Sequence, residues 1–556
     1  MHPLLRRIFS ARHVSSPAEL DYSLERLHSY ESLGGIDRAI DLLSRAIAES
    51  RRLMIIADYD VDGATACAVG MRALKSMGAP AVEYLVPDRF KHGYGLSPDV
   101  VDLAAERKPD ILITVDNGIS SIEGAARAAT LGMEVIITDH HLPGTALPEA
   151  AAIVNPNLPG DAFPSKALAG VGVMFYVMAA LRAKLRALDW FARNRIAEPH
   201  LAVLLDLVAL GTVADVVPLD ANNRVLVAQG LERIRAGRCV PGITALLRAA
   251  RRSNTAAGAS DLGYAVGPRL NAAGRLTDMT VGIECLLADD EFEAQRLARE
   301  LNALNQERRE IQADMQRQAL DELATLDPVP GQAPAGLCIF NEDWHAGVVG
   351  VLASQLKEQL QRPVVAFARE AGGMLKGSGR SIRGVHLRDV LADVSAQEPE
   401  LIHRFGGHAM AAGLSLQEHR LPRFRELFES CVTRHMQNLE APAVLFTDGE
   451  LAPGDFNLET AIMLRDAGPW GQEFPEPLFD GEFTVVGSRV VGDKHLKLQL
   501  EIGGVPRSLD AIAFNLASDE ALQDAREIRA AYRLDVNEYN GRRSLQLVIE
   551  QAERTG

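Results

Sequence analysis

Between residues 51 and 155 a short apolar run recurs five times, at 53–57, 82–86, 111–115, 135–138 and 152–154, with helix-patterned segments between. This alternation predicts βαβ units, and hence a parallel sheet covered by helices on both faces. In such sheets, ligands bind at the carboxyl ends of the strands. The residues that follow each run therefore matter most. Asp58, Asp60 and Asp62 follow the first run, ahead of Gly63; Asp88 and Arg89 follow the second. Asp116, in VDNG, follows the third, and Asp139, His140 and His141, in TDHH, follow the fourth. On extended backbone, side chains two apart share a side, so the Asp58–Asp60–Asp62 triplet is expected to converge where the first strand ends. Three anions that close raise one another's pKa, a conflict that a divalent cation removes. An acidic surface turn would explain the triplet alone. It does not explain four successive runs that each deliver metal-type or phosphate-type residues to one edge.

A fifth contribution comes from residues 201–219, LAVLLDLVALGTVADVVPL, where Asp215 interrupts an apolar stretch. A buried carboxylate without a partner is costly; a helix cap or an ion pair is the plainer explanation. With the other clusters in view, Asp215 is expected to join them. Carboxylates with imidazole and no sulfur suit Mn²⁺ or Mg²⁺, and the imidazole tilts the set toward Mn²⁺. So many ligands exceed what one ion takes from protein. Two ions about 3.5–4 Å apart, sharing a bridging carboxylate, are the natural solution, and such a pair promotes in-line displacement at phosphorus. Other chemistries lack their signatures. Cys67, Cys239, Cys285, Cys338 and Cys431 are scattered without a CxxC pair, which argues against zinc–thiolate sites and disulfide frameworks and fits a reducing cytoplasm. GxxxxGK[ST] and GxSxG are absent, and GVGVMF at Gly170 lacks the third glycine of a dinucleotide fingerprint.

The chain of 556 residues is too long for one core, so about three to five domains are expected. No apolar run approaches the roughly 18 residues of a membrane span. The basic N-terminus, MHPLLRRIFSARHVSS, lacks a signal-peptide core, so a cytoplasmic protein with no membrane association is expected. A net charge of −16 opposes coating of nucleic acid by bulk charge but leaves room for a local basic groove.

Residues 1–50 are expected to be helical, from the spacing of Leu27, Leu33, Ile36, Ile40, Leu43 and Ile47. Residues 51–285 form the parallel-sheet domain. Near its end, DLGYAVGPRLNAAGRLTDMT at 261–280 carries Arg269, Asn271 and Arg275 among glycines that suggest tight turns. Arginines there suit phosphate oxygens; weak surface salt bridges are the alternative. A long helix occupies 286–327. Asp290 and Glu293 resemble a capping box, Leu297, Leu301, Leu304, Ile311 and Met315 follow a helical repeat, and Pro328 marks the end. About 36 residues would span about 54 Å. Its mostly polar surface suggests a strut between domains, and Arg308 interrupts the stripe that a coiled coil would need. Residues 328–440 form a second α/β unit with strand-like runs at 337–340 and 364–368. Its informative features are expected to be loops: WHAGVVG at Trp344, KGSGRS at Lys376 and FGGHAMAAG at Phe405. Lys376, Arg380, Arg383 and Arg388 make a local basic patch without an acid, and a glycine-rich backbone with Ser378 and Arg380 suits a phosphate. Residues 441–556 carry strand-like runs at 481–491, 495–502, 510–514, 532–539 and 544–550, with Asn540-Gly541 as a hairpin turn. A five-stranded barrel of OB type follows. Arg489, Lys494, His495, Lys497, Arg507, Tyr539, Arg542 and Arg543 would let it hold a single strand by charge and stacking.

In this order and spacing, DYDVDG, VDNG, DHH, ALGTVADVVPL and GPRLNAAGR resemble the DHH phosphoesterase superfamily, and within it the branch of single-strand-specific 5′→3′ DNA exonucleases. The resemblance implies an α/β fold in which a DHH domain is joined by a long helix to a DHH-associated domain, followed by the OB barrel. It implies two Mn²⁺ or Mg²⁺ ions held by Asp58, Asp60, Asp62, Asp116, His140 and Asp215, with Asp116 the bridge and His141 facing the substrate phosphate. Arg269, Asn271 and Arg275, with Ser378, Arg380 and His408 of the SGR and GGH segments, would bind substrate phosphates across a cleft that admits a single strand and not a duplex. Arg89, Ser378 and Arg380 would hold a terminal 5′-phosphate and so set polarity. One departure stands out: relatives often place a histidine two residues before the first aspartate of the triplet, where this chain has Ile56, leaving Asp58 to replace it. The implied activity is release of 5′-mononucleotides from single-stranded DNA in repair and recombination, with a helicase and a single-strand-binding protein as partners by analogy. The competing reading is a relative acting on short oligonucleotides, cyclic dinucleotides or polyphosphate, which would have little use for the C-terminal barrel. A non-catalytic binding relative is opposed by the intact motifs.

Overall fold

The computed structural model describes residues 1–88, 91–92, 94–326, 334–437, 444–492, 494–514, 516–517, 520–539 and 542–555. Arg89, Pro328 and the Asn540-Gly541 turn lie outside them. The chain forms two units. One comprises Met1–Asn271, Met279–Arg299 and Val444–Gly556; the other comprises Ala272–Asp278 and Glu300–Ala443.

The first unit is built on a five-stranded sheet of β1 (Leu53–Ala57), β2 (Val82–Leu85), β3 (Ile111–Val115), β4 (Glu134–Thr138) and β5 (Ala152–Val154). Their order is β2-β1-β3-β4-β5, and every pair is parallel. Every residue of β1 and β3 is buried, as helices on both faces require. The chain leaves β1 toward β2 on one side and continues to β3 on the other. The carboxyl edge between β1 and β3 is therefore a topological switch point, where open α/β sheets place their ligands. Ala57 pairs with Val115, so Asp58 and Asp116 emerge side by side there. Ahead of the sheet the chain is not continuously helical. Helices Pro3–Ala11 and Ile36–Ala48 flank three short 3₁₀ turns. Pro17 opens the first of these turns, and Gly35, at φ 76°, caps the second helix.

The second unit holds a mixed sheet of β6 (Leu337–Phe340), β7 (Val364–Glu370), β8 (Met374–Arg380), β9 (Arg404–Gly407) and β10 (Ala411–Gln417), in the order β6-β7-β8-β10-β9. Here the expectation of loops fails: KGSGRS and much of FGGHAMAAG are antiparallel strands. The glycines explain both the structure and the misreading. A Cβ on Gly377 would lie 2.5 Å from the Phe367 ring, and one on Gly379 would lie 2.7 Å from Leu387. These inward positions must be empty, which erases the alternation that marks a strand. Ser378 and Arg380 occupy the opposite face. Chain connectivity passes from one unit to the other within the helix Glu291–Leu326, whose start is capped by Asp290 accepting the Glu293 amide at 2.9 Å.

The C-terminal part of the first unit is a closed five-stranded barrel of β11 (Phe479–Val491), β12 (His495–Glu501), β13 (Leu509–Ala513), β14 (Glu527–Tyr539) and β15 (Arg542–Arg554). Its lead-in segment is anchored to the parallel-sheet domain. Phe9, Trp470 and Phe474 stack, with Trp470 and Phe474 centroids 5.2 Å apart. Arg12 lies over Trp470 and makes a bidentate pair with Asp448 at 2.7 and 3.0 Å. Arg224 lies 4.3 Å above Phe474. No helix among the described residues is long and apolar enough to cross a membrane.

Candidate metal centre

The acidic triplet is not on extended backbone. β1 ends at Ala57, Asp60 caps the helix Val61–Ser76 by accepting the Gly63 amide at 3.1 Å, and Asp62 sits in the first helical turn. The three carboxylates converge through a strand–turn–helix, and a helix start favours acids through its dipole. Gly63 permits the tight turn: a Cβ there would lie 2.7 Å from the Asp58 carbonyl oxygen. Both oxygens of Asp62 are held by backbone amides at the start of the helix Gly170–Ala187, Gly170 at 2.6 Å and Val171 at 2.8 Å. GVGVMF, a failed dinucleotide fingerprint in sequence terms, is thus the amide clamp of Asp62.

Asp116 is buried and held at φ 62°, in the left-handed region that a non-glycine residue occupies only under strain. The residues of VDNG hold it there. Asn117 donates to the Ile56 carbonyl at 3.2 Å and the Val115 carbonyl at 2.9 Å, tying β1 to β3, and Thr114 donates to the Asn117 carbonyl at 2.7 Å. Asp139 is an orienting group. One of its oxygens accepts the Ile119 amide at 2.9 Å; the other accepts the His140 and His141 amides at 2.7 and 3.1 Å and meets His141 Nδ1 at 2.7 Å. Asn155 and Asn157 donate to the His141 and His140 carbonyls. These two asparagines went unnoticed in the sequence, although VNPN at the end of β5 occupies the same edge as the other clusters. Asp215 is the C-cap of the helix Leu205–Ala214.

Together these elements place His140 Nε2 3.1 Å from Asp116 Oδ1, 3.5 Å from Asp215 Oδ2 and 3.8 Å from Asp62 Oδ2. Among the described residues, three trios have ligand atoms within 4.8 Å of one another: Asp58, Asp60 and Asp116; Asp62, His140 and Asp215; and Asp116, His140 and His141. Asp116 and His140 each belong to two of them. Burial, reinforced by Asp60, pushes Asp62 up to about 7 despite the Val171 and Gly170 amides. Burial and the surrounding aspartates hold Asp116 and Asp215 well above the usual carboxylate range. Burial and the neighbouring His141 push His140 down to about 4, so its ring is neutral at pH 7. Burial opposes charge on His141, but the Asp139 hydrogen bond and nearby carboxylates outweigh it and raise its pKa. Burial would also raise Asp139, yet its bonds and charge interaction with His141 bring it below its usual value. Asp116 Oδ1 and His140 Nε2 are buried, and neither makes a hydrogen bond among the described residues. A carboxylate oxygen facing a neutral imidazole nitrogen at this distance fits a shared divalent cation, and the donor set of oxygen and imidazole suits Mn²⁺ or Mg²⁺.

Arg269 and Asn271 lie on the helix Gly267–Leu276 and not in tight turns; Arg269 Nη1 donates to the Ala265 carbonyl at 2.6 Å. Gly267 is helical, at φ −52° and ψ −47°, where the five-residue π turn Leu262–Val266 runs directly into this helix. In the second unit, Arg275, Ser378 and Arg380 gather about residues 347–350, where a turn enters the helix Val349–Leu360. Arg275 Nη1 lies 3.4 Å from the Gly347 carbonyl, and a Cβ on Gly350 would lie 2.8 Å from Ser378 Oγ and 3.3 Å from Arg380 Nη2. Half-buried Arg380 donates to Ser378 Oγ at 3.3 Å and to the Gly379 carbonyl at 2.8 Å, with no carboxylate partner among the described residues. Burial lowers its pKa. His408 is exposed at the end of β9, its amide donating to the Ala411 carbonyl.

Comparison with known proteins locates these features in a lineage. Family models match the DHH family N-terminal domain at residues 52–212, the DHHA1 domain at 334–434 and the RecJ OB domain at 447–551. The single-stranded-DNA-specific exonuclease RecJ of Dickeya dadantii is 55% identical over 551 residues, 98% of this chain and 95% of that protein. The crystal structure of RecJ from Thermus thermophilus in complex with Mn²⁺ superposes with a TM-score of 0.80 at 29% identity, covering 100% of this chain and 76% of that one. The corresponding Mg²⁺ complex gives 0.74 at 28% identity, covering 100% and 75%.

Proposed function

The chain belongs to the RecJ family, and on that premise we propose that it is a metal-dependent exonuclease that removes mononucleotides from the 5′ end of single-stranded DNA. The observation that carries the reading is the set of overlapping ligand trios with Asp116 and His140 in common. They would hold two Mn²⁺ or Mg²⁺ ions through Asp58, Asp60, Asp62, Asp116, His140 and Asp215. When bound, such ions neutralise charge developing on a phosphoryl group and acidify water.

The chain's own groups do the rest. The amide clamp on Asp62 and the strained backbone of Asp116 fix two carboxylates before any ligand arrives, so little reorganisation accompanies binding. His141 is anchored through Nδ1 to Asp139. Its Nε2 remains for the substrate, where a raised pKa suits it to donate a proton to, or hold a charge beside, a phosphate oxygen. Arg380, a half-buried cation beside Ser378, and Arg275 offer guanidinium groups to phosphates. Arg269, Asn271, His408 and Arg89 complete the proposed phosphate set, with Arg89, Ser378 and Arg380 reserved for the terminal 5′-phosphate. The barrel would hold the strand beyond the site. This chemistry belongs to DNA repair and recombination, where a helicase and a single-strand-binding protein would supply and protect the strand.

The test is a single-stranded DNA oligonucleotide labelled at its 3′ end, incubated with and without Mn²⁺ or Mg²⁺. A metal-dependent ladder shortening from the 5′ end is expected. An intact oligonucleotide, or shortening from the 3′ end of a 5′-labelled control, would overturn the reading. Replacing Arg380 with Ala is expected to reduce preference for phosphorylated 5′ ends; unchanged preference removes Arg380 from the terminal pocket.

A further inference from the structure

Two adjacent asparagines, Asn222 and Asn223, stand in the first turn of the helix Ala221–Arg235, and both are buried. A buried side-chain amide is costly unless it is paired. Asn223 Nδ2 donates to the Ala167 carbonyl at 2.7 Å and to the Pro218 carbonyl at 2.9 Å. Ala167 lies three residues ahead of Gly170, whose amide holds Asp62, and Pro218 lies three residues beyond Asp215. One side chain thus joins the two backbone segments that deliver Asp62 and Asp215. Asn222 braces the same region further along. Its Oδ1 accepts from the Tyr176 hydroxyl, on the helix Gly170–Ala187, at 2.7 Å and from the His28 amide at 3.2 Å.

Past Asp215 the chain leaves the helix Leu205–Ala214 with Val216 at φ 60°, so helical geometry no longer sets its course. Carbonyl anchors set it instead: Pro218 to Asn223, and Leu219 to Arg224 Nη1 at 2.9 Å. The spacing is tight. A Cβ on Gly211, one turn before Asp215, would lie 3.0 Å from Asp62 Oδ1 and 2.2 Å from Thr65 Oγ1, so a shift of the helix carrying Asp215 reaches Asp62 directly. The chemistry at position 223 is equally specific. Both groups that Asn223 meets are acceptors, so only its NH₂ can face them, and its Oδ1 has no hydrogen-bond partner among the described residues. An acid would suit the helix start better through the dipole, but it could not donate to either carbonyl.

We propose that Asn223 is a positioning residue for one of the two ions. By tying Ala167 to Pro218 it sets the separation of Asp62 and Asp215, and so shapes the Asp62–His140–Asp215 trio. The Asp58–Asp60–Asp116 trio is outside its reach, because Asp58 and Asp60 come from the turn between β1 and the helix Val61–Ser76. The proposal rests on the two-ion exonuclease reading above.

The experiment titrates Mn²⁺ into the full-length wild type, N223D and Y176F, followed by the electron paramagnetic resonance of free Mn²⁺, with circular dichroism to check the fold. N223D keeps the shape of the side chain and favours the helix start, so a defect in it reports on the two carbonyls. Loss of an outer-shell partner weakens metal affinity by about 10- to 100-fold. The wild type should bind two ions. N223D should hold one at the wild-type affinity and the other at least about tenfold more weakly. Its loss of exonuclease rate should be recovered by excess Mn²⁺, with KM for the oligonucleotide unchanged. Y176F removes a buried hydrogen bond between the same two helices and should bind both ions as the wild type does. N223A, which introduces no charge, carries the test if N223D does not fold. Wild-type binding in the Asn223 variant, equal weakening of both ions, or the same selective loss in Y176F would each overturn the proposal. A wild type that binds fewer than two ions sinks the two-ion reading itself; two ions in the wild type with any of the three results above sink only the role of Asn223.

Discussion

Substituting Gly170 with alanine tests how the metal centre is assembled without replacing a ligand. A Cβ at this position would lie 2.7 Å from Asp116 Cβ, 2.8 Å from Asp116 Oδ1 and 2.9 Å from Asp116 Cα. Ordinary contact begins near 3.4 Å, so Asp116 or the helix start must retreat by roughly 0.7 Å, and neither is the free end of a flexible side chain. The same helix start supplies the amides that hold Asp62. Metal–ligand distances tolerate about 0.2 Å, so the shift falls on two candidate ligands at once. Overpacking of this kind costs about 1–3 kcal/mol, or about 5- to 150-fold in affinity. Titration of Mn²⁺ into G170A, followed by calorimetry or by the electron paramagnetic resonance of free Mn²⁺, should show weakening in that range. G144A is the control, because its Cβ would meet only the Ala146 carbonyl oxygen at 3.8 Å. Wild-type Mn²⁺ affinity in G170A with a native circular dichroism spectrum would refute the reasoning.

Asp139→Asn should cost ten- to hundredfold in activity, the usual penalty for a disrupted outer-shell partner. An amide cannot replace a carboxylate that accepts three backbone amides and anchors His141; an unchanged rate would remove Asp139 from the orienting role. The metal-free protein should become less stable as pH rises. Asp62 is pushed up to about 7 in the folded state, above the ordinary carboxylate value, with Asp116 and Asp215 shifted the same way. The folded state therefore keeps protons that the unfolded chain has released, and that stabilisation is lost as pH rises through 7. Melting of chelator-treated protein should show Tm falling from pH 5 to pH 8, and added Mn²⁺ should raise Tm more at pH 8; the opposite trend would contradict the shifts. Asp448→Ala should destabilise the anchoring of the barrel by about 3–5 kcal/mol, because it leaves the buried Arg12 guanidinium without its carboxylate. Urea unfolding and protease cleavage near residue 444 would report it, and a wild-type midpoint would count against the anchor.

The parallel sheet was legible in sequence for a physical reason. Strands buried on both faces must be unbroken apolar runs, and β1, β3 and β5 begin and end where those runs do. Residues at the ends of those runs were legible as a shared edge, because parallel strands all finish on one side. What escaped depends on side chains that are absent or on backbone amides. β8 hid because Gly377 and Gly379 must stay empty beneath Phe367 and Leu387. The helix Gly267–Leu276 hid because its glycines resemble turn residues while a π turn supplies its start. The clamp on Asp62 hid because amides carry no sequence signature, and Gly170 is glycine on account of Asp116, 54 residues earlier in the chain. The N-terminal segment misled through an apolar spacing from Leu27 to Ile47 that Gly35 interrupts, and the helix begins only at Ile36.

The most direct measurement of the central claim is anomalous diffraction from crystals grown with Mn²⁺. Two peaks are predicted at the carboxyl edge of β1 and β3, one contacted by Asp58 or Asp60, the other by Asp62, His140 and Asp215, with Asp116 touching both. A single peak, or peaks away from Asp116 and His140, would contradict the account of a shared two-ion site.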